Sequence, residues 1–183
     1  MFIYLIKSST FVTYYMLDSL ITSKTRLRLL IKFFLNIANK GYLNGLANEF
    51  GESTNSIRRE LNNLSSAGYL DKQSENNKVV YKANVSHPFF KIIQKIVKKH
   101  LGIEEILETV LKRIGEVKKI MILGDYAEGI DSGHIEILIV GDKVNEDYLK
   151  KITPKIEKKI NRKVSFFVSN STLKQKTLTI FEA

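Results

Sequence analysis

The 183-residue sequence contains no cysteine, and none of its apolar runs is long. The lack of cysteine excludes a disulfide framework, a thiolate zinc site and a cysteine nucleophile, and it favours a reducing, cytoplasmic location. No stretch approaches the roughly 18 apolar residues of a membrane span, so we expect no membrane partner. With 44% hydrophobic residues, the chain can still bury a core, in one large domain or two small ones.

The N-terminus also lacks the features of a secretory signal. The apolar run Phe2–Ile6 is only five residues long, Lys7 interrupts it, and no small-residue cleavage site follows. Met16 begins a segment that reads as a natural start before a capped helix. We therefore expect residues 1–15 to be either a frayed extension or the result of a start assigned too far upstream. We treat residues 1–22 as an N-terminal extension.

Acidic residues are scarce in the first half of the chain. The whole sequence has 29 Lys and Arg against 19 Asp and Glu, a net charge of +10. Residues 1–102 hold 15 basic and 6 acidic residues, net +9, whereas residues 103–183 hold 14 and 13, net +1. Because surplus positive charge attracts polyanions, this asymmetry indicates that only the N-terminal half handles nucleic acid.

Apolar residues at helical spacing predict three helices in the basic half. They cover Thr25–Ala38, Leu43–Phe50 and Thr54–Ala67, and the second helix ends at a glycine, as does the third. A tight turn between the second and third helices makes a helix-turn-helix. Two strand-like runs, Tyr69–Lys72 and Val79–Ala83, follow on either side of a polar stretch and predict a hairpin.

The residues of this segment resemble a known family. The pattern is Leu43-x-x-Leu46-Ala47-x-x-Phe50-Gly51-x-Ser53-x-x-Ser56-Ile57-Arg58-x-x-Leu61-x-x-Leu64-x-x-Ala67-Gly68-Tyr69-Leu70. It resembles winged-helix transcriptional regulators of the ArsR/MarR kind over roughly residues 23–101. The resemblance implies that the residues before Gly68 form a recognition helix and that the partner is double-stranded DNA. We assign residues 23–86 to this winged-helix domain.

Helical geometry selects the DNA-facing side chains independently of the family. With the stripe of Ile57, Leu61 and Leu64 placed inward, polar and basic residues occupy the other faces of the helix. Arg and Asn suit base edges, and Lys suits phosphates. Ordinary solvated charge is the alternative interpretation of the two arginines. The predicted contacts are Thr54, Asn55, Ser56, Arg58, Arg59, Asn62 and Asn63 on the helix, and Lys72, Asn76, Asn77, Lys78 and Lys82 on the wing.

Residues 87–115 form a predicted linking segment of two amphipathic helices. Apolar residues recur at helical spacing after Pro88 and again after a break at Gly102. Their apolar face could cover the winged helix, support the next domain or pair with a second protomer. Since winged-helix proteins commonly bind two half-sites about one helical turn apart, we expect a homodimer through this segment.

Residues 116–183 are predicted to form a small α/β domain, which makes the whole chain α+β. Branched apolar runs predict strands at Ile120–Leu123, Ile135–Val140, Val164–Val168 and Thr177–Ile180, with a basic amphipathic helix over Asn145–Ile160.

A second resemblance lies in the connection between the first two of these strands. The run Leu123-Gly124-Asp125-Tyr126-Ala127-Glu128-Gly129, followed by Asp131-Ser132-Gly133-His134-Ile135-Glu136-Ile137, resembles the core of minimal nucleotidyltransferases. In that family a Gly-Ser motif precedes two carboxylates one residue apart on a strand, and a third lies on a neighbouring strand. Alternate strand residues share a face, so the paired carboxylates can hold Mg²⁺ beside a triphosphate.

The catalytic pattern of that family is incomplete in this sequence. Asp125 stands at the serine position, His134 at the first carboxylate position and Ser165 near the third, and only Glu136 is acidic. We therefore expect a degenerate domain that is not an enzyme, with no metal and no cofactor. Gly124, Asp125, His134 and Glu136 mark a vestigial nucleotide site, where an effector could bind. His134 and Glu136 could alternatively hold a transition metal weakly.

The sequence as a whole predicts a cytoplasmic, homodimeric, sequence-specific DNA-binding transcriptional regulator. Its second domain would be an inactive nucleotidyltransferase-like domain that contacts an unidentified effector or protein partner. Two alternatives stay open: an active nucleotidyltransferase, and an antitoxin-like protein-interaction module.

Overall fold

The computed structural model describes residues 21–171 and 176–183, and it forms two compact units. The first unit comprises Ser23–Val97 and Glu128–Asp131, and the second includes Lys98–Ala127 and Ser132–Ala183. Residues 1–15, for which the sequence left two interpretations, lie outside the described residues. Within the described ranges, no helix has both the length and the apolar character that crossing a membrane requires.

Three helices, most of a fourth helix and a three-stranded sheet build the first unit. The elements are α1 (Lys24–Phe34), β1 (Gly41–Tyr42), α2 (Leu43–Phe50), α3 (Thr54–Ser66), β2 (Leu70–Glu75) and β3 (Lys78–Ala83), with α4 (Phe90–His100) following. The strands are antiparallel in the order β1-β3-β2. Its core includes Leu29, Phe33, Leu46, Ile57 and Leu61, all at most 1% exposed. This order of elements is the topology of a winged helix-turn-helix.

Helix α1 ends earlier than the apolar spacing predicted. The predicted helix ran to Ala38, but the last helical residue is Phe34 and Leu35 is the C-cap. The side chain of Asn36 accepts a hydrogen bond from the backbone N–H of Ala38 at 3.1 Å, and the N–H of Asn39 bonds to the carbonyl of Asn36 at 3.0 Å. A local turn built on the asparagine therefore replaces the last helical turn, as Asn side chains commonly allow.

The wing hairpin is longer and its turn is tighter than predicted. The strands extend through residues predicted as loop, so that Glu75 is paired with Lys78 and only Asn76 and Asn77 form the turn. Both asparagines have positive φ, 49° and 59°. Asparagine tolerates this left-handed conformation better than most residues, which suits a two-residue hairpin turn of the kind that twists with its strands.

The predicted linking segment contains two helices that contribute to different units. Helix α4 begins at Phe90, so Pro88 precedes the helix instead of lying in its first turn. Gly102, with φ of 77°, separates α4 from α5 (Ile103–Val110). Residues up to Val97 group with the first unit, and α5 groups with the second.

The second unit contains a mixed sheet with helices. Its remaining elements are β4 (Glu116–Leu123), α6 (Gly124–Ala127), β5 (His134–Asp142), α7 (Glu146–Ile160), β6 (Lys163–Ser169) and β7 (Leu178–Glu182). The strand order is β6-β5-β4-β7, in which only the β5–β6 pair is parallel. Helix α7 makes the crossover between these parallel strands. It buries Leu149, Ile152, Ile156 and Ile160, which form the apolar face of the predicted amphipathic helix.

Candidate nucleic-acid interface

The sequence around residue 53 fixes where α3 begins. Gly51 adopts φ of 63°, and the N–H of Glu52 bonds to the carbonyl of Ala47 at 3.0 Å, which ends α2. Two residues later the hydroxyl of Ser53 accepts a hydrogen bond from the N–H of Ser56 at 3.2 Å and caps α3. The helix-turn-helix therefore follows from a left-handed glycine and a serine cap placed close together.

The inward face of α3 contains a charge that the apolar pattern did not reveal. Ile57, Leu61 and Leu64 are buried as predicted, but Glu60 is also only 2% exposed. Its carboxylate accepts hydrogen bonds from Arg26 Nε at 2.8 Å and from the Ser23 hydroxyl at 2.9 Å. Glu60 thereby ties α3 to the first turn of α1.

Opposing effects set the pKa of Glu60. Burial disfavours the charged carboxylate and by itself would raise the pKa, but the hydrogen bonds from Arg26 and Ser23 and the positive charges of Arg26 and Arg59 outweigh it. The pKa of Glu60 is therefore held below its ordinary value, and the group is ionised at neutral pH. The only evident sequence signal was an acidic residue next to the apolar stripe.

The predicted base-contacting side chains lie on the exposed surface of α3. Arg58 Nη1 donates to Asn55 Oδ1 at 3.4 Å, a weak contact that leaves the guanidinium available. Arg59 is 70% exposed, with one nitrogen 3.9 Å from Glu60. Ser56 is half-buried, and its hydroxyl accepts from Ser53 at 3.0 Å. The exposed members of the predicted set are Thr54, Asn55, Arg58, Arg59, Asn62 and Asn63.

A groove separates α3 from the wing. Arg58 and Asn62 line it from the helix, and Asn77 and Lys78 line it from the hairpin, around a volume of about 410 Å³. Tyr42 of β1 also lines the groove, and the Lys78 ammonium lies 4.6 Å from the centroid of its ring. The fold therefore brings four of the predicted DNA contacts, from two separate sequence segments, to one concave surface.

The three wing lysines do not lie on one surface. Cross-strand partners share a face of a hairpin, and Lys72 is the partner of Tyr81, whereas Lys82 is the partner of Asp71 and Lys78 that of Glu75. Neighbouring residues alternate between faces, which places Lys72 opposite Lys78 and Lys82. The strand period of two therefore places on two faces the lysines that the sequence analysis grouped as wing contacts.

The predicted vestigial site at the start of β5 is partly assembled. Gly124 has φ of 57°, and a side chain at this position would collide with the carboxylate of Glu136. His134 lies two residues before Glu136 on the same strand, and its Nε2 is 2.8 Å from the Ser165 hydroxyl of β6. Asp125 is exposed at the start of α6. Across residues 21–171 and 176–183, no three His, Asp or Glu side chains are grouped as metal ligands.

Neither a protein-family model nor a curated protein sequence matches this chain. Solved structures to which it is similar include reduced HlyU from Vibrio cholerae N16961, 20% identical, with a TM-score of 0.36 over 50% of this chain and 88% of that one. The AntR antimony-specific transcriptional repressor is 21% identical, with a TM-score of 0.38 over 58% of this chain and 89% of that one. Sso10a-2, a DNA-binding protein from Sulfolobus solfataricus, is 15% identical, with a TM-score of 0.34 over 50% of this chain and 92% of that one.

Proposed function

We propose that this protein is a transcriptional regulator that binds specific duplex DNA through α3 and the wing. The observation that carries the proposal is the groove in which Arg58 and Asn62 face Asn77 and Lys78. An arginine can read guanine bidentately, an asparagine can read adenine, and the wing lysine can hold a phosphate. The inner face of α3 is buried, so its polar outer face is free to enter a major groove.

A selection from random duplex DNA followed by affinity measurement tests this proposal. We expect an enriched motif, and we expect Arg58→Ala with Asn62→Ala to weaken binding to it by about 5- to 150-fold for each base that is no longer read. A matched control replaces an exposed arginine and asparagine of the second unit, Arg113→Ala with Asn170→Ala, and should bind normally. Selection of no motif, or equal weakening in the two variants, would contradict the proposal.

The second arginine of α3 offers a separate measurement. Arg59 lies farther from the groove and is mostly exposed, while Asn55 is at the N-terminal end of the helix. We expect Arg59→Ala with Asn55→Ala to change which bases are preferred at a different position of the motif. If this pair leaves the selected motif unaltered, DNA contact is confined to the groove side of α3.

We also propose that the DNA-binding form is a homodimer that pairs through α4. Ile92 and Ile96 of α4 are 54% and 42% exposed, and Phe89, which directly precedes the helix, is 54% exposed. The spacing of three and four residues places the three side chains along one side. Burying such a ridge against a second copy would present two α3 helices to an inverted repeat.

Solution mass measurements test the dimer. Light scattering on wild-type protein should give twice the mass of the chain, and Ile92→Lys with Ile96→Lys should give the single chain. Ile37→Lys is the control, because Ile37 is equally exposed at 54% but lies outside α4. A monomeric wild type that still selects an inverted repeat would contradict pairing through α4.

For the second unit we propose a degenerate nucleotidyltransferase-like domain that performs no transfer. The support is the arrangement of three strands. Strands β4 and β5 are antiparallel and are connected by the segment that begins at Gly124, and β6 is parallel to β5. Glu136 is the single acid at the three carboxylate positions, and Asp125 would repel a phosphate. Incubation with labelled nucleoside triphosphates and Mg²⁺ should leave no covalent label, whereas labelling that Glu136→Gln abolishes would make the protein an enzyme.

A further inference from the structure

Helix α7 of the second unit presents a stripe of four exposed lysines to solvent. The stripe consists of Lys151, Lys155, Lys158 and Lys159. At 100° per residue, the four positions fall within an arc of about 100°, and they extend along about 12 Å of the helix axis. The buried residues of α7 occupy the neighbouring arc of the helix, so the stripe lies beside the buried face and is open to solvent.

Two of the three acids of α7 have partners outside the stripe, and the third, Glu146, lies in the first turn of the helix. One carboxylate oxygen of Glu157 accepts from the N–H of Val164 at 3.0 Å, and the other is 3.4 Å from Lys163 Nζ. Asp147 is 3.5 Å from Lys150. Within the described part of the chain, none of the four stripe lysines takes part in an ion pair or a side-chain hydrogen bond.

The position of the stripe is not explained by helix stability. Lys158 and Lys159 lie in the last turn, where positive charge interacts favourably with the helix dipole. Lys151 and Lys155 lie farther from that end, however, and like charges three or four residues apart repel one another. The phosphates of an external polyanion would offset this repulsion between the lysines.

We propose that this lysine stripe binds the phosphate backbone of duplex DNA without reading its sequence. The proposal rests on the function proposed above, because it takes duplex DNA to be the partner of this protein. Phosphates of one strand succeed one another at about 3.4 Å along the DNA axis, so a stripe of about 12 Å spans three or four of them. Lysine suits this role because its ammonium is a point charge that needs no defined partner geometry.

The stripe changes how the charge asymmetry of the sequence is interpreted. Residues 103–183 have a net charge of only +1, and this near balance indicated that the second half does not handle nucleic acid. The fold separates the two signs in space, so that one surface of α7 is cationic although the unit is nearly neutral. A net charge summed over a segment therefore concealed a local surface of one sign.

The salt dependence of DNA affinity tests the proposal. The stripe variant carries Lys151→Gln, Lys155→Gln, Lys158→Gln and Lys159→Gln. The control variant removes four positive charges elsewhere in the same unit, by Lys112→Gln, Arg113→Gln, Lys118→Gln and Lys143→Gln. Affinity for the selected duplex, with flanking DNA on both sides, is measured over a series of salt concentrations.

We expect the slope of log affinity against log salt to become shallower by about 2.7 to 3.6 in the stripe variant, because three or four phosphates are no longer neutralised. The control variant should change this slope by less than about 0.9, the contribution of one phosphate. Replacing the same four residues by arginine should preserve the wild-type slope. The preferred DNA motif should remain the same in all variants, because phosphate contacts carry no sequence information.

Each alternative result has a defined meaning. Equal slopes for the stripe and control variants would overturn the inference, while a retained motif would leave the proposed function intact. A wild type that binds no duplex would overturn both. A stripe effect seen with double-stranded RNA but absent with DNA would also overturn the inference, because it would assign the surface to a different polymer. Circular dichroism of each variant checks that the total helix content is unchanged.

Discussion

Replacing Glu60 by glutamine should loosen the attachment of α3 to α1. The carboxylate is 3% exposed, and it receives Arg26 Nε at 2.8 Å and the Ser23 hydroxyl at 2.9 Å. Hydrogen bonds to charged groups contribute about 1.5–3 kcal/mol. Arg26 is 41% exposed and water can solvate it once the charge is gone, so we expect Glu60→Gln to cost about 2 kcal/mol.

The reverse change should cost more. Arg26→Ala leaves the buried carboxylate of Glu60 with the Ser23 hydroxyl but without the guanidinium, and an uncompensated buried charge is expensive. We expect a destabilisation of about 3 kcal/mol, at the lower end of the range for breaking a buried pair. Once Glu60 is replaced, removing Arg26 breaks little that remains. The double variant should therefore be destabilised by about 2 kcal/mol less than the sum of the two single variants.

Amide hydrogen exchange across α3 is the appropriate assay, because the two units could unfold separately and a global transition would mix them. The pH dependence supplies a second readout. The pKa of Glu60 is lowered in the folded state, so its stabilising contribution is complete above an unfolded-state pKa of about 4.3 and is lost as pH falls through the folded pKa. Wild type and Glu60→Gln should therefore converge in acid. Additive effects, or a difference independent of pH, would refute the reasoning.

Three further variants test other parts of the fold. Ser53→Ala removes the cap that receives the N–H of Ser56 and should cost about 1 kcal/mol, measured by exchange in the first turn of α3. Leu61→Ala empties a fully buried position and should cost about 2–5 kcal/mol in denaturant unfolding. Tyr126→Phe removes the hydroxyl that accepts from Arg162 Nε at 3.0 Å and should cost about 1–3 kcal/mol in the second unit. A destabilisation below about 0.5 kcal/mol in any of these would contradict the interaction concerned.

The apolar periodicity of the sequence predicted most of the helices and strands. Ile57, Leu61 and Leu64 indicated both the existence of α3 and its buried face, because apolar residues spaced four and then three positions apart lie on one side of a helix. The basic amphipathic helix was predicted from Asn145, whose side chain accepts from the N–H of Tyr148 at 2.9 Å and caps α7. These features depend on residues that are close together in the chain, so the sequence alone is enough to predict them.

Features that depend on distant residues were missed. Strand β1 exists because Gly41 and Tyr42 pair with Tyr81 and Val80 of the wing. It has only two residues, which is too short for a periodic pattern to predict it. The burial of Glu60 requires Arg26, which is 34 residues away.

The sequence predicted which residues belong to the candidate site, but it did not predict which of them lie close together. Helical geometry predicted that Arg58 and Asn62 are exposed, and the turn-forming stretch indicated Asn77 and Lys78. The groove that joins them, and the separation of Lys72 from the other wing lysines, depend on how the hairpin is paired and twisted against α3.

The division of α3 into two faces has a consequence for how such a protein could change. The residues that hold the helix in place, Ile57, Glu60, Leu61 and Leu64, are distinct from those available to DNA. Substitutions on the outer face therefore cost little stability, and many of them should leave the fold intact. A lineage or a designer could exchange the recognised sequence step by step, with each intermediate still folded, while the inner face remained unchanged.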